Sequence, residues 1–202
     1  MTVITQDRAV STSVTEEEDA PLPYSPDEFG RLAAHYPDLR MELTAEGEII
    51  IMAPASSETG LKNGELYGQL YVWNKQTGLG YAFDSSSGFT LPNGAEIAPD
   101  TSWITKKRWD TLPGDIKKGF AHICPDFVLE LRSDSDRLST LQKKMRQYTA
   151  SGARLGWLID PRLKRVEIYR PGRAAEVLVN PPTVSGEDVL SGFVLDLAPV
   201  WG

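Results

Sequence analysis

Pro125-Asp126-Phe127-Val128-Leu129-Glu130-Leu131 decides the fold. The apolar run after the proline reads as a buried β-strand, and side chains alternate along a strand. Val128 and Glu130 therefore share one face, and Phe127, Leu129 and Leu131 share the other. Glu is depleted in strands. A carboxylate on a buried strand costs free energy unless something pairs with it. Downstream, residues 137–152 read as a helix ended by Gly152 as its C-cap. A short apolar strand, Leu155-Gly156-Trp157-Leu158-Ile159, follows and is stopped by Asp160-Pro161. Upstream, a second Pro-Asp pair, Pro99-Asp100, opens Thr101-Ser102-Trp103-Ile104. Proline cannot donate to a ladder and belongs at strand starts, so Asp100 sits near a strand end.

Outward from this centre the chain alternates helices and strands. Ser25-Pro26-Asp27-Glu28 is a helix start, with Ser25 as N-cap, Pro26 at the first helical position and Glu28 as the reciprocal partner. A hairpin follows, 40–44 and 48–52, joined across Ala45-Glu46-Gly47. Residues 57–76 read as a helix with an apolar stripe of Leu66, Leu70 and Trp73. Gly60, Gly64 and Gly68 form a second stripe, which suggests either close backbone packing or a fragile helix, since each Gly costs about 1 kcal/mol against Ala. Segments 81–84 and 88–91 read as strands around a Ser-rich turn. A polar connection, 105–122, carries Lys106, Lys107, Arg108, Lys117 and Lys118. Val166-Glu167-Ile168-Tyr169 alternates as a strand with an exposed face, and 189–197 resembles a last strand. This order implies an α/β (α+β) protein, a mixed sheet with helices packed on it.

Composition narrows the function. With 202 residues, one domain over 21–202 is expected, preceded by a disordered acidic tail over 1–20. The net charge of −7 is uneven: residues 1–30 hold seven acids and one base, while 31–202 hold 21 acids and 20 bases. The body is close to neutral and announces no basic patch. No apolar run approaches the roughly 20 residues that span a bilayer. There is no secretory signal pattern. A single cysteine, Cys124, excludes an intramolecular disulfide and a zinc site built on several Cys. A cytoplasmic protein without a membrane partner is expected. No G-x-S-x-G elbow or P-loop is present. His35 and His122 read as structural or solvated, and Cys124 as buried and inert.

The chemistry then rests on Asp100, Glu130 and Lys144. In the second long helix, Leu138, Leu141, Met145 and Tyr148 fall within about 60° of Leu141 on the wheel. Lys144 lies on the edge of that arc, whereas Lys143 points about 160° away. Lys144 can lay its stem along the core and present its ammonium to the strand ends. Simpler readings exist: a turn Asp at 100, a Glu130 ion pair with Arg132 or Arg146, and a snorkelling Lys144. Together, the two carboxylates could hold Mg²⁺ or Mn²⁺ through oxygen, with the lysine neutralising developing charge.

These segments resemble the Uma-two family of restriction endonucleases, in the PD-(D/E)XK nuclease superfamily. The resemblance runs from about Tyr24 to Val194. It rests on Met41-Glu42-Leu43 with 48–54, on Gly88-Phe89-Thr90-Leu91, on 98–103 and on 125–133. It continues through Lys144-Met145-Arg146-Gln147-Tyr148 and 156–161. It implies a restriction-endonuclease-like αβββαβ core with an extra N-terminal helix and β-hairpin. Asp100 matches the metal-binding Asp and Glu130 the acidic residue of the E-x-K motif. Arg132 stands where the lysine is expected, and the lysine looks displaced to Lys144. Glu65 best matches the superfamily's helical Glu, with Glu58 as rival. Asp126 would cap or orient the strand, with a ligand role open. The implied activity is Mg²⁺-dependent DNA hydrolysis, with a homodimer suited to cutting both strands. The alternative is a non-catalytic binding or regulatory module on the same fold.

Overall fold

The computed structural model describes residues 23–201; the acidic tail expected over 1–20 lies outside them. The first helix, α1 (Pro26–His35), starts as its sequence dictates. Ser25 Oγ accepts from the Glu28 N–H at 3.3 Å, and Glu28 Oε2 accepts from the Ser25 N–H at 2.8 Å. That reciprocal capping box satisfies donors the helix itself leaves free. Phe29 is buried beneath α1 against Phe120, Met41 and Leu43.

The hairpin β1 (Arg40–Leu43) and β2 (Ile49–Met52) turns through Gly47, whose φ of +84° places it in the left-handed region. It is not an isolated appendage. Two short strands, β4 (Phe89–Thr90) and β5 (Glu96–Ile97), join it in a four-stranded sheet of order β2-β1-β5-β4.

The main sheet has six strands in the order β10-β9-β8-β7-β6-β3. Here β3 is Gly80–Asp84, β6 Thr101–Thr105, β7 Phe127–Leu131, β8 Leu155–Asp160, β9 Arg165–Tyr169 and β10 Glu176–Val179. Strand β6 runs antiparallel to both β3 and β7, and β7 pairs parallel with β8. With α2 (Ser57–Thr77) before β3 and α4 (Leu138–Ala150) between β7 and β8, the core reads αβββαβ. A parallel pair needs such a crossover helix.

Each face of this sheet is covered differently. Phe127, Leu129 and Leu131 pack with Trp103 under Leu66, Leu70 and Trp73 of α2. The C-terminal hairpin β11 (Thr183–Ser185) and β12 (Val194–Asp196), with α5 (Ala198–Trp201), completes that layer. On the other face Val128 and Leu158 pack with Met145 and Tyr148 of α4 and with Leu91 and Ile97 from the smaller sheet. The alternation read along 127–131 thus divides the two cores. A short helix, α3 (Lys106–Asp110), and a 3₁₀ turn, Ile116–Lys118, occupy the polar connection.

Three local expectations change. Segments 81–84 and 88–91 do not form a hairpin: β3 edges the large sheet and β4 the small one. Strand β9 has no exposed face, because α4 covers Glu167 and Tyr169. The Glu167 carboxylate is satisfied there by Gln142, the Tyr169 hydroxyl and Arg165. The glycine stripe of α2 is not a packing surface, since a Cβ at Gly60, Gly64 or Gly68 would meet nothing within 4 Å.

Gly80 is the opposite case. A Cβ there would run into the Ile104 carbonyl oxygen and the Trp103 ring. Replacing Gly60, Gly64 and Gly68 together by Ala is therefore expected to stabilise the protein by up to about 1 kcal/mol per site. Gly80→Ala is expected to destabilise it by about 1–3 kcal/mol through overpacking. Urea denaturation of the two variants checks both signs.

Candidate functional site

The candidate residues converge where β6 begins and β7 ends. The β6–β7 register pairs Thr101 with Leu129 and Ser102 with Val128. One step further, Asp100 stands opposite Glu130. The Leu131 N–H donates to Asp100 Oδ2 at 2.8 Å, which fixes that carboxylate against the neighbouring strand.

Glu130 is only 3% exposed. Its Oε1 accepts from the Tyr148 hydroxyl at 3.0 Å and lies 3.0 Å from Lys144 Nζ. Neither Arg132 nor Arg146 is its partner. Arg132 instead pairs with Asp160 at 2.6 Å and donates to the Asp136 carbonyl at 3.3 Å. The wheel argument for the two lysines matches the geometry: the Lys143 side chain is 76% exposed and that of Lys144 only 15%.

Glu42 completes the cluster, and sequence reasoning did not single it out as a site residue. It lies on β1, outside the αβββαβ core, and is 5% exposed. Its Oε1 accepts from Lys144 Nζ and from the Ala98 N–H, each at 2.9 Å. Lys144 also donates to the Ala98 carbonyl at 3.2 Å. A Glu between Met41 and Leu43 on a short strand was a usable signal of the same kind as Glu130.

The other candidates lie elsewhere. Glu65 is exposed and lines a groove of about 500 Å³ between α2 and the C-terminal hairpin, with Gly68, Val72 and Phe193. Glu58 pairs with Lys62 one helical turn on, at 2.7 Å. The α2 side chain that meets Asp100 is Asn63, whose Nδ2 is 3.5 Å from Asp100 Oδ1. Asp126 accepts from the Thr105 N–H and pairs with Arg108, each at 2.9 Å, so it ties α3 to the sheet. Lys106, Lys107 and Arg108 follow the far end of β6 from Asp100. His35 and His122 are exposed. Cys124 is buried, and burial pushes its thiol up to about 12.

Charge in this cluster is unbalanced. Three carboxylates, Glu42, Asp100 and Glu130, surround one ammonium. Burial pushes the Glu130 carboxyl up to about 8, with Lys144 opposing and Asp100 and Glu42 adding to the rise. Burial raises Asp100 as well, against the Leu131 N–H and Lys144. Burial alone would lower the Lys144 ammonium, but Glu130 and Glu42 outweigh it and hold the group charged.

A divalent cation fits this donor set. Glu130 Oε2 takes no hydrogen bond among the described residues, and Asp100 Oδ1 takes only the long one from Asn63. Among those residues no three His, Cys, Asp or Glu side chains form a ready-made metal cage. Mg²⁺ is typically held by one or two carboxylates, with water and substrate phosphate completing its shell. Asp100 and Glu130 are the carboxylates here with oxygens left open for such a role.

Residues 26–198 match the Uma2 (Uma-two) family, described as "Putative restriction endonuclease". The chain belongs to that family. A crystal structure titled as that of "a putative nuclease belonging to DUF820 from Anabaena variabilis ATCC 29413" is similar to this chain, with a TM-score of 0.72 and 24% identity. The similarity covers 89% of this chain and 98% of that one, and it establishes the shared fold. No curated protein matches. For this Uma2 member, no helix among the described residues is long and apolar enough to cross a membrane.

The raised Glu130 carboxyl has a measurable sign. Between an ordinary 4.5 and about 8, the folded protein binds a proton that the unfolded chain has released. Stability from this group is therefore full below 4.5 and is lost as pH rises through 8. Urea denaturation in chelator is expected to show stability falling across that window, with a shallower fall in Glu130→Gln. Equal slopes in the two proteins would count against a raised carboxyl.

Proposed function

We propose that this protein is a metal-dependent endonuclease that hydrolyses DNA phosphodiester bonds, with Asp100 and Glu130 as the metal ligands. One observation carries the reading: a half-buried carboxylate, Asp100, and a buried one, Glu130, stand opposite each other beside a lysine held by the second of them. Structural ion pairs also bury charge, but they balance it. Here the carboxylates outnumber the ammonium and Glu130 keeps its proton to raised pH, and a dication in place of that proton would restore neutrality.

The protein's own groups divide the work. The Leu131 N–H orients Asp100, and the Tyr148 hydroxyl orients Glu130. Bound Mg²⁺ or Mn²⁺ would supply Lewis acidity, lowering the pKa of a water and offsetting charge on the phosphate. Lys144, held charged by Glu42 and Glu130, offers a fixed positive group for charge that builds on the phosphate oxygens. Glu42 and the Ala98 carbonyl limit where that ammonium can go. Preorganisation of this kind is what makes an electrostatic stabiliser effective.

A second reading, a non-catalytic module on the nuclease fold, draws on the nearly neutral body and on basic residues placed at the far end of β6. Calorimetric titration of Mn²⁺ with plasmid nicking on the same samples separates the two. Wild type is expected to bind and nick. Asp100→Ala and Glu130→Ala should lose both. Lys144→Ala should keep metal binding and lose about 10²–10³-fold in rate, while Lys143→Ala stays near wild type. Absence of Mn²⁺ binding by wild type would favour the non-catalytic module.

A further inference from the structure

Helix α2 passes over the start of β6, and the side chain it lays against Asp100 is an amide. Asn63 makes one hydrogen bond, from Nδ2 to Asp100 Oδ1, and at 3.5 Å it is at the limit of what counts as one. Its Oδ1 is buried and has no partner among the described residues. Both ends of this amide are thus poorly satisfied, in a place where buried polar groups are normally paired. Unpartnered oxygens elsewhere, on Thr101 and Ser102, belong to hydroxyls on β6 that are wholly inside the sheet. Asn63 alone among these abuts a carboxylate of the site.

The direction of the amide follows from its neighbour. With no cation bound, an N–H facing a carboxylate is favoured, and exchanging the two ends would oppose two oxygens. A cation reverses that preference. Two oxygens bound side by side on an octahedral cation at about 2.1 Å lie about 3 Å apart. The amide end facing Asp100 Oδ1 is 3.5 Å from it, so a small approach of the side chain brings it to that separation.

We propose that Asn63 supplies a neutral oxygen ligand to the divalent cation at Asp100 and Glu130, its amide turning over when the cation binds. The inference rests on the nuclease reading and adds to it the ligand contributed by α2. A neutral donor suits the charge balance. If the Glu42–Lys144 pair cancels, Asp100 and Glu130 match one dication, and a third anionic ligand would leave the empty site over-charged. Glu65 and Glu58, the acidic residues of the same helix, take no part.

The test uses the full chain as wild type, Asn63→Ala, Asn63→Asp and Glu65→Gln, with Mn²⁺ titrated by calorimetry and Tm measured with and without Mn²⁺. Asn63→Ala is expected to weaken Mn²⁺ binding about tenfold. Asn63→Asp is expected to lower the Tm of the metal-free protein yet bind Mn²⁺ at least as tightly as wild type. Its Mn²⁺-induced rise in Tm should be the largest of the set. Glu65→Gln should match wild type. If Asn63 serves only as an N–H donor to Asp100, the added carboxylate repels that group, and Asn63→Asp binds more weakly than Asn63→Ala; that result overturns the proposal. Wild-type affinity in Asn63→Ala overturns it too, and the nuclease reading survives provided Asp100→Ala loses Mn²⁺. A wild type that binds no Mn²⁺ ends both.

Discussion

The Lys144 ammonium, buried between Glu42 and Glu130, is the interaction on which the rest of the site depends. A buried ammonium is costly unless it is paired and hydrogen-bonded. Here three oxygens within 3.2 Å meet it, from Glu42, Glu130 and the Ala98 carbonyl. Each comes from a different part of the chain. Glu130 belongs to the central strand, Glu42 to the N-terminal hairpin, and Ala98 to the approach to β6. The ammonium therefore joins the large sheet, the small sheet and α4 at one point. The smaller sheet is then more than a decoration on a nuclease core. It supplies the carboxylate that holds the lysine from the side opposite Glu130.

This arrangement also explains why one carboxylate can be deficient in positive charge while the lysine beside it is secure. Lys144 answers to two carboxylates at once, so it is held charged. Glu130 receives only a share of that charge and has Asp100 across the ladder from it. Tyr148 steadies its orientation without contributing charge. The result, at the end of the β6–β7 ladder, is a carboxyl that gives up its proton only at raised pH.

Much of this was legible in the sequence because it is local. Strand alternation placed Glu130 on the face of Val128, away from Phe127, Leu129 and Leu131, and helical geometry separated Lys144 from Lys143. Both arguments need only a few consecutive residues and a known period. A mixed sheet with helices packed on it followed from the order of such segments, and the αβββαβ core from the family resemblance. What escaped notice depends on contacts distant in sequence. Glu42 and Lys144 are 102 residues apart, and nothing local says that the hairpin folds onto α4. The same holds for β4, which turns away from β3 because β5, itself paired with β1, offers it a ladder. Glycine spacing left two readings open. A regular stripe marks a face, and only the tertiary structure tells whether anything lies against it. Along α2, nothing does.

Arg132, which stands where the family resemblance leads one to expect a lysine, has a task of its own in this geometry. Arg132 follows the last residue of β7, and its N–H continues the pairing with β8 by donating to the Ile159 carbonyl. Its guanidinium is occupied by Asp160 and by the Asp136 carbonyl, so it holds the β7–α4 loop to the end of β8. An arginine fork suits that task, since it can reach a carboxylate and a carbonyl together. A lysine there would be a compact point charge on a flexible stem. With residue 132 committed to the loop, the positive charge beside Glu130 must come from another element. Helix α4 already crosses above Glu130 through Tyr148. Lys144 lies one turn before Tyr148 on that helix, which is the spacing at which two helical side chains meet the same neighbour.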